Sequence, residues 1–522
     1  FLFSIETMQS NLLSYYSDLR LQQRDHEVRD GSRVVRTTTA NGESIRLLDI
    51  MQFGFLTSSR STTPSSSRIT TDFGVYLAAR HFNDRDDVMV HGLSERLAGC
   101  DLYVTLEMVD SKVSRLDASR ELVLAHSREH SLQTPIPGGI VGAYSSKTTN
   151  SLAILSGAYV TPHVGGISTA PYLDDKGIYP TYARTTANAK SKAKGIVKLL
   201  LHWEVNRVFC VYDRSEFAIS LFQKIQGEAA EAGIELLQTN YERRDEESAD
   251  QAVQKIQDSG LRYVVGIMST STSSLLLERA YDRKIAGVSD YQWILPNMGS
   301  FSRPSRTFNQ DESKFAKALD GAATIDIKTS FDQSFIDVMN SLGDDTILQN
   351  DYIDSHSSDK PIFDGYNWTQ FSPSSSFLPY TSYDAFMALA ISACEADRNF
   401  FSPQEHWETL LKTNFKGASG AIAFEPDTAA RAFDTTVLMV NNIIIDADSI
   451  DEDSLEDIRT FSRLSMTIDF ASDPSLRAIE PYVFAQNSTG LPNQLPPLGL
   501  VDENKISEEV KLFGWIICGL LL

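Results

Sequence analysis

The chain has 522 residues, 42% hydrophobic and 22% charged, which is the composition of a folded protein and too long for a single hydrophobic core. Its 47 Lys and Arg against 69 Asp and Glu give a formal net charge of −22, which argues against nucleic-acid binding, since phosphate contacts draw on clustered cations. With four cysteines in all, there is no cysteine-rich module.

Residues 1–43 are polar with scattered Arg and Asp and read as an extension, and the opening FLFSI reads as the remnant of a signal peptide's apolar region. A first strand is predicted at 45–56, then a Ser/Thr-rich loop at 57–71. The helix that follows carries Val75, Ala79 and Phe82 on one face, with Asp72 as its N-cap. Strand 102–109, helix 116–127, strand 140–143, helix 148–159 and a strand near Val164 follow. The same alternation restarts with helix 189–203, strand 207–212, helix 215–232, strand 234–237, helix 248–259, strand 263–268, helix 273–285 and strand 292–295. Two runs of βα alternation imply an α/β protein with two doubly wound parallel-sheet lobes. The turn-rich stretch 340–378 reads as a surface insertion before a helix at 383–396, and the acidic run 446–457 as a solvated loop.

The apolar run 512–522 (LFGWIICGLLL) is shorter than the roughly 20 residues that a membrane span requires. It reads as the first half of a transmembrane helix with Lys511 at its aqueous edge, or else as a buried terminal helix. Cys518 lies in this run, so Cys100, Cys210 and Cys394 leave room for at most one disulfide. Cys210 and Cys394, both in apolar surroundings, read as buried free thiols. Two sequons, at Asn367 and Asn487, are candidate glycosylation sites in polar, turn-rich segments.

The letters HSREH, with His126, Glu129 and His130, match a zinc-protease pattern but fall at the polar end of a predicted surface helix without a further carboxylate ligand. The acidic run lacks the glycine and the ligand spacing of a calcium loop. With no phosphate-binding glycine loop, nucleophile elbow or zinc cysteine pattern, neither an enzyme, a resident cofactor nor a metal is expected. Two hydroxyl-rich turns stand out instead, one at Ser145, Ser146, Lys147, Thr148 and Thr149, the other at Ser168, Thr169, Ala170 and Pro171. Each directly follows a predicted strand, where open parallel sheets bind ligands, and the first also opens a helix whose free N–H groups suit a carboxylate. The same residue types are common helix caps, so the turns alone leave both readings open.

The ordered pieces GIVGAYSS at 139–146, STAPYL at 168–173, YPTYARTTANA at 179–189, VYDRSEFA at 211–218, YDAFMALA at 383–390 and GASGAIAFE at 417–425 resemble the ligand-binding ectodomains of class C G-protein-coupled receptors. The likeness is strongest to metabotropic GABA type B receptors and spans roughly residues 45–500. The tail 492–503 is similar to the stalk that precedes the first membrane helix of these receptors.

The resemblance implies a type I periplasmic-binding-protein-like clamshell, the Venus flytrap. Lobe 1 would comprise 44–185 and 303–391, lobe 2 would comprise 186–302 and 392–488, and the stalk 489–510, ahead of the membrane run 511–522. It implies a plasma-membrane receptor with an extracellular ligand-binding region that closes on an amino-acid-like ligand. It also implies a homo- or heterodimer formed through lobe 1, with the apolar faces near 73–82 or 148–159 as contacts, and signalling to a heterotrimeric G protein.

By the same likeness Ser146 and Thr169, with Ser145 and Ser168 beside them, hold the ligand's carboxylate and neighbouring polar group. Phe217 replaces a ligand-contacting Tyr of glutamate receptors, and Ala189 replaces an Asp. Ser269, Met298 and Thr186 replace the Tyr, Trp and His of GABA-binding subunits. Alternatives of other classes are a receptor guanylyl cyclase ectodomain, an orphan subunit that only dimerises, and an anchored solute-binding protein.

Overall fold

The structure is a computed structural model. It describes residues 33–38, 43–58, 61–128, 135–268, 270–296, 312–328, 333–356, 360–372, 378–396, 401–445, 460–470, 476–488 and 490–492. The FLFSI opening, the acidic run 446–457 and the apolar tail lie outside these residues, as do His130 and Glu129. No described helix is long and apolar enough to cross a membrane.

The chain divides into two compact units. The first holds the residues up to Gly195, Asp326–Met439 and Thr467–Arg477, and the second holds Ile196–Ile325, Val440–Met466 and the residues from Ala478 on. The sequence placed the boundaries at 185/186, 302/303 and 391/392, so residues 392–439 move from the second lobe to the first. The cause is a buried anchor. Asp384 accepts hydrogen bonds from the backbone N–H of Ala418 (2.6 Å) and of Ser419 (2.8 Å), which fastens the segment after 400 to a first-unit helix.

In the first unit, β1 (Val34–Thr38), β2 (Ser44–Gly54), β3 (Leu102–Asp110), β4 (Gly139–Gly142), β5 (His163–Gly165) and β6 (Tyr182–Arg184) form one sheet in the order β1-β2-β4-β5-β6, with β3 also paired to β2. β2 is parallel to both β3 and β4 and antiparallel to β1. Every residue of β2 after Ser44 is buried, as expected for a parallel strand covered on both faces. The helices are α1 (Ser66–Asp84), α2 (Arg115–His126), α3 (Ser146–Ala158) and, much later in the chain, Leu378–Glu395.

The helix Leu378–Glu395 is buried almost all round, and it packs on the equally buried α1. Their approach is close, since a Cβ at Gly74 would stand 2.7 Å from the Pro379 carbonyl oxygen. Asp72 is therefore not a cap. α1 begins seven residues earlier than expected, after Ser65, and Asp72 lies inside it. There its carboxylate accepts from Gln52 Nε2 (2.7 Å), Tyr352 Oη (3.0 Å) and His356 Nε2 (2.7 Å). Tyr352 and His356 belong to the stretch 340–378 that was expected to be a surface insertion. Both are buried, so much of that stretch packs on the core.

Cys394, expected as a free thiol, forms a disulfide with Cys100, their Cα atoms 5.8 Å apart. Cys210 is free and buried, as expected.

In the second unit, β7 (Arg207–Asp213), β8 (Glu235–Tyr241), β9 (Tyr263–Ile267), β10 (Gln292–Leu295) and β11 (Ala323–Ile327) are parallel in the order β8-β7-β9-β10-β11. β8 is the outer strand on its side. α4 (Ala189–His202) leads into β7, and between the strands run α5 (Glu216–Glu231), α6 (Glu246–Ser259) and α7 (Thr270–Asp282). α6 shows the local rules at work. Asp245 caps it by accepting from Ser248 N–H at 3.0 Å, Ala249, Ala252, Val253 and Ile256 form the buried stripe, and Gly260 ends it with φ +65°.

Candidate functional site

β4 and β5 are adjacent and parallel, so the turns after them emerge side by side at the carboxyl edge of the first-unit sheet. At the end of β4, Gly142 has φ +106°, and a Cβ there would stand 2.6 Å from the Phe53 carbonyl oxygen. Only glycine fits a chain that turns so near its neighbour strand.

The turns are joined by their hydroxyls. Thr149 Oγ1 donates to the Ala143 carbonyl at 2.8 Å and lies 2.7 Å from Ser168 Oγ, which also reaches the Ala143 carbonyl at 3.0 Å. Ser145 is the N-cap of α3. It accepts from Thr148 N–H at 3.1 Å and donates to Thr148 Oγ1 at 3.0 Å. The helix thus starts at Ser146, two residues before the expected Thr148, and the capping role that sequence reasoning left open for Ser146 belongs to Ser145.

Ser146 and Thr169 are half-buried. Their side-chain hydroxyls have no protein partner among the described residues, although the Ser146 carbonyl accepts from Tyr172 Oη at 3.0 Å. Of the four hydroxyls expected here, Ser145 and Ser168 are committed to structure, and Ser146 and Thr169 are free to meet a ligand.

The second turn is held from beneath by two cations. Buried Arg184 donates to the carbonyls of Ser168 (3.4 Å) and Ala170 (3.0 Å) and to the Asp174 carboxylate. Lys176 donates to the carbonyls of Leu173 and Tyr179, each at 3.5 Å. Burial, with Arg184 nearby, lowers the Lys176 ammonium to about 7. Beside the first turn, burial pushes the Tyr144 hydroxyl well above its ordinary value, so it acts there as a neutral donor and acceptor. Sequence reasoning placed Thr149 in the first turn without giving it this bridging role, and it missed Tyr172 and Arg184. An arginine inside the apolar strand YAR was the one available signal.

Other expected site residues fall elsewhere. Phe217 is half-buried in the first turn of α5 in the second unit, Thr186 and Ala189 are fully buried in the first, and Ser269 and Met298 lie outside the described residues. Two surface cavities, of about 340 and 380 Å³, are lined by other residues. His126 is no metal ligand here. It is bonded to Leu122 O and Thr161 Oγ1, and burial holds it at about 4. Arg128 of the same motif pairs with Glu107 at 2.7 Å. Among the described residues no group of three or more His, Cys, Asp or Glu could hold a metal ion.

The sequence profile of the receptor family ligand binding region matches residues 97–443, more than half of the chain. The chain belongs to this family. The chain is also similar to the extracellular calcium-sensing receptors of Mus musculus, Sus scrofa and Bos taurus, to each of which it is 25% identical over 150 residues, 28% of this chain. The aligned stretch spans 14% of the length of each relative. The two-unit α/β architecture is the one expected of such a ligand-binding region.

Proposed function

We propose that the chain is the extracellular part of a plasma-membrane receptor whose first unit binds the carboxylate of a small, amino-acid-like ligand through Ser146 and Thr169. The observation that carries this reading is the division of labour among the hydroxyls. Thr149 and Ser168 lock the two turns together and Ser145 caps the helix, which leaves the hydroxyls of Thr169 in the second turn and of Ser146 without a protein partner among the described residues, with Ser146 at the start of α3. There the unpaired backbone N–H groups favour an anion.

Signalling is proposed to be of the class C, G-protein-coupled kind and GABA type B-like, on the motifs quoted above. A guanylyl cyclase receptor is the alternative. A second reading, a dimerising subunit without a ligand, is favoured by Phe217 and Ala189, which depart from the residues that contact ligand in glutamate receptors.

A dimer through the first unit is part of the proposal. The face 73–82 cannot serve, because α1 is buried there. α2 and α3, which pack side by side, expose Leu116, Val123, Leu124 and Ile154, and this face takes its place. Glycosylation is proposed at both sequons. Asn367 is exposed, and its Oδ1 accepts from Thr369 N–H at 3.2 Å and from Thr369 Oγ1 at 2.8 Å, which leaves its Nδ2 without a partner among the described residues. Asn487 lies in a short 3₁₀ turn.

The test is a thermal-shift screen of the secreted chain against amino acids, their decarboxylated relatives, and the calcium for which the relatives are named. The account expects stabilisation by a subset of amino acids that disappears with the carboxylate. Equal stabilisation by the decarboxylated forms contradicts it, and no stabilisation by any compound favours the subunit without a ligand.

A further inference from the structure

The second unit carries a cavity of about 340 Å³ beside the outer strand β8, lined mainly by Arg214, Gln238, Asn240, Ser248, Gln251 and Lys255. No acidic residue lines it, although the whole chain carries a formal net charge of −22.

Its polar groups are oriented by bonds within the protein. Tyr212 Oη donates to Gln238 Oε1 at 2.8 Å, Arg214 Nε donates to Asn240 Oδ1 at 2.8 Å, and the backbone N–H of Glu242 donates to Ser248 Oγ at 2.8 Å. Each bond uses an acceptor. What remains is Gln238 Nε2, Asn240 Nδ2 and the Ser248 hydroxyl proton, none with a protein partner among the described residues. Lys255 Nζ adds a cation held only by a long contact, 3.5 Å to Thr239 Oγ1, among the described residues.

Two carboxylates stand nearby, and both are engaged. Glu242 lies 3.3 Å from Arg214 Nη1, and Glu247 accepts from Gln251 Nε2 at 3.2 Å. Besides Gln251 Oε1 and the Thr239 hydroxyl, to which Lys255 donates, the side-chain groups on this lining are mainly donors. A neutral polyol brings as many donors as acceptors and matches this lining poorly, whereas an oxyanion brings acceptors alone.

We infer that this cavity is a binding site for a small oxyanion, a phosphate, a phosphate ester or a compact polycarboxylate, separate from the hydroxyl turns of the first unit. The volume exceeds that of a bare ion, so an anionic group on a small scaffold fits better than the ion itself.

The test is calorimetric titration of the whole chain with inorganic phosphate, ribose 5-phosphate and citrate, each at constant ionic strength against sodium chloride. Binding is expected for at least one, and tighter binding of ribose 5-phosphate than of phosphate would identify an ester as the source. Lys255→Gln and Asn240→Leu should each weaken it by about tenfold, the loss of one charge-assisted hydrogen bond. Both variants should keep the melting temperature of the ligand-free protein, and Ser146→Ala should bind the anion as the wild type does. The inference is overturned if all three anions give only the response of chloride at millimolar concentration, or if both cavity variants bind as tightly as the wild type.

Discussion

Thr149 Oγ1 and Ser168 Oγ lie 2.7 Å apart, and both reach the carbonyl of Ala143. Two turns 19 residues apart in sequence are thereby fixed as one surface, before any ligand arrives. All three groups are buried, so none can replace a lost partner with water.

Thr149→Val keeps the branched shape of the side chain and removes the hydroxyl. It should lower unfolding stability by about 1 kcal/mol, the net worth of a buried hydrogen bond. Urea denaturation measures this. A variant as stable as the wild type would mean that the hydroxyl pair does not hold the turns.

The Cys100–Cys394 bridge links residues 294 apart in sequence, and so constrains a long loop of the unfolded chain. Cys394→Ala should cost about 2–5 kcal/mol, and reductant should lower the melting temperature of the wild type but not of the variant. Recovery of both cysteines as free thiols in a non-reduced peptide map of the secreted protein would contradict the pairing.

Most of the fold was legible from periodicity. The alternation of strands and helices, and their ranges within a few residues, follow from short apolar runs separated by amphipathic ones, as the α6 stripe shows. What failed were residues whose role is set by distant partners. Asp72 looks like a cap in sequence and becomes the buried acceptor for Tyr352 and His356, which lie some 280 residues on in a stretch whose turn formers read as surface. Cys394 reads as an apolar helix residue because nothing local announces Cys100.

At the candidate site, the turns were legible and the division among their hydroxyls was not. Whether Ser145 or Ser146 caps the helix depends on a one-residue difference in where it starts. Such boundaries are the least certain part of any reading from periodicity.

Stability should also depend on pH through Asp49. Burial, reinforced by Glu107, pushes its carboxyl up to about 7, against smaller effects of Thr105 and Arg128. Its folded value lies above the unfolded one of about 4, so its contribution is fully present below pH about 4 and is lost as pH rises through about 7. His126 and His163, held at about 4 by burial, act in the opposite sense, with stability lost as pH falls from about 6.5. The curve of the wild type mixes both, so the informative quantity is the difference between Asp49→Asn and the wild type. The variant should gain relative stability as pH rises from about 4 towards 7 and level off above it, and a difference that is flat across this range would contradict the shift.

Leu116 is 78% exposed at the start of α2, and Ile154 on α3 is 46% exposed. If this face joins two copies, Leu116→Glu with Ile154→Glu should convert a dimer to monomers in analytical ultracentrifugation, with an unchanged melting temperature. A wild type that stays monomeric at high micromolar concentration counts against the interface.

The central claim, that Ser146 binds ligand while Ser145 only caps, is tested most directly by measuring affinity and melting temperature for Ser145→Ala and Ser146→Ala with the ligand from the screen. A hydrogen bond to a charged group contributes about 1.5–3 kcal/mol, so Ser146→Ala should weaken binding by about 10- to 150-fold at unchanged melting temperature. Ser145→Ala should lose about 1 kcal/mol of stability, with the affinity of the folded protein little changed. Full affinity in Ser146→Ala, with the ligand still bound and displaced normally, would contradict the account.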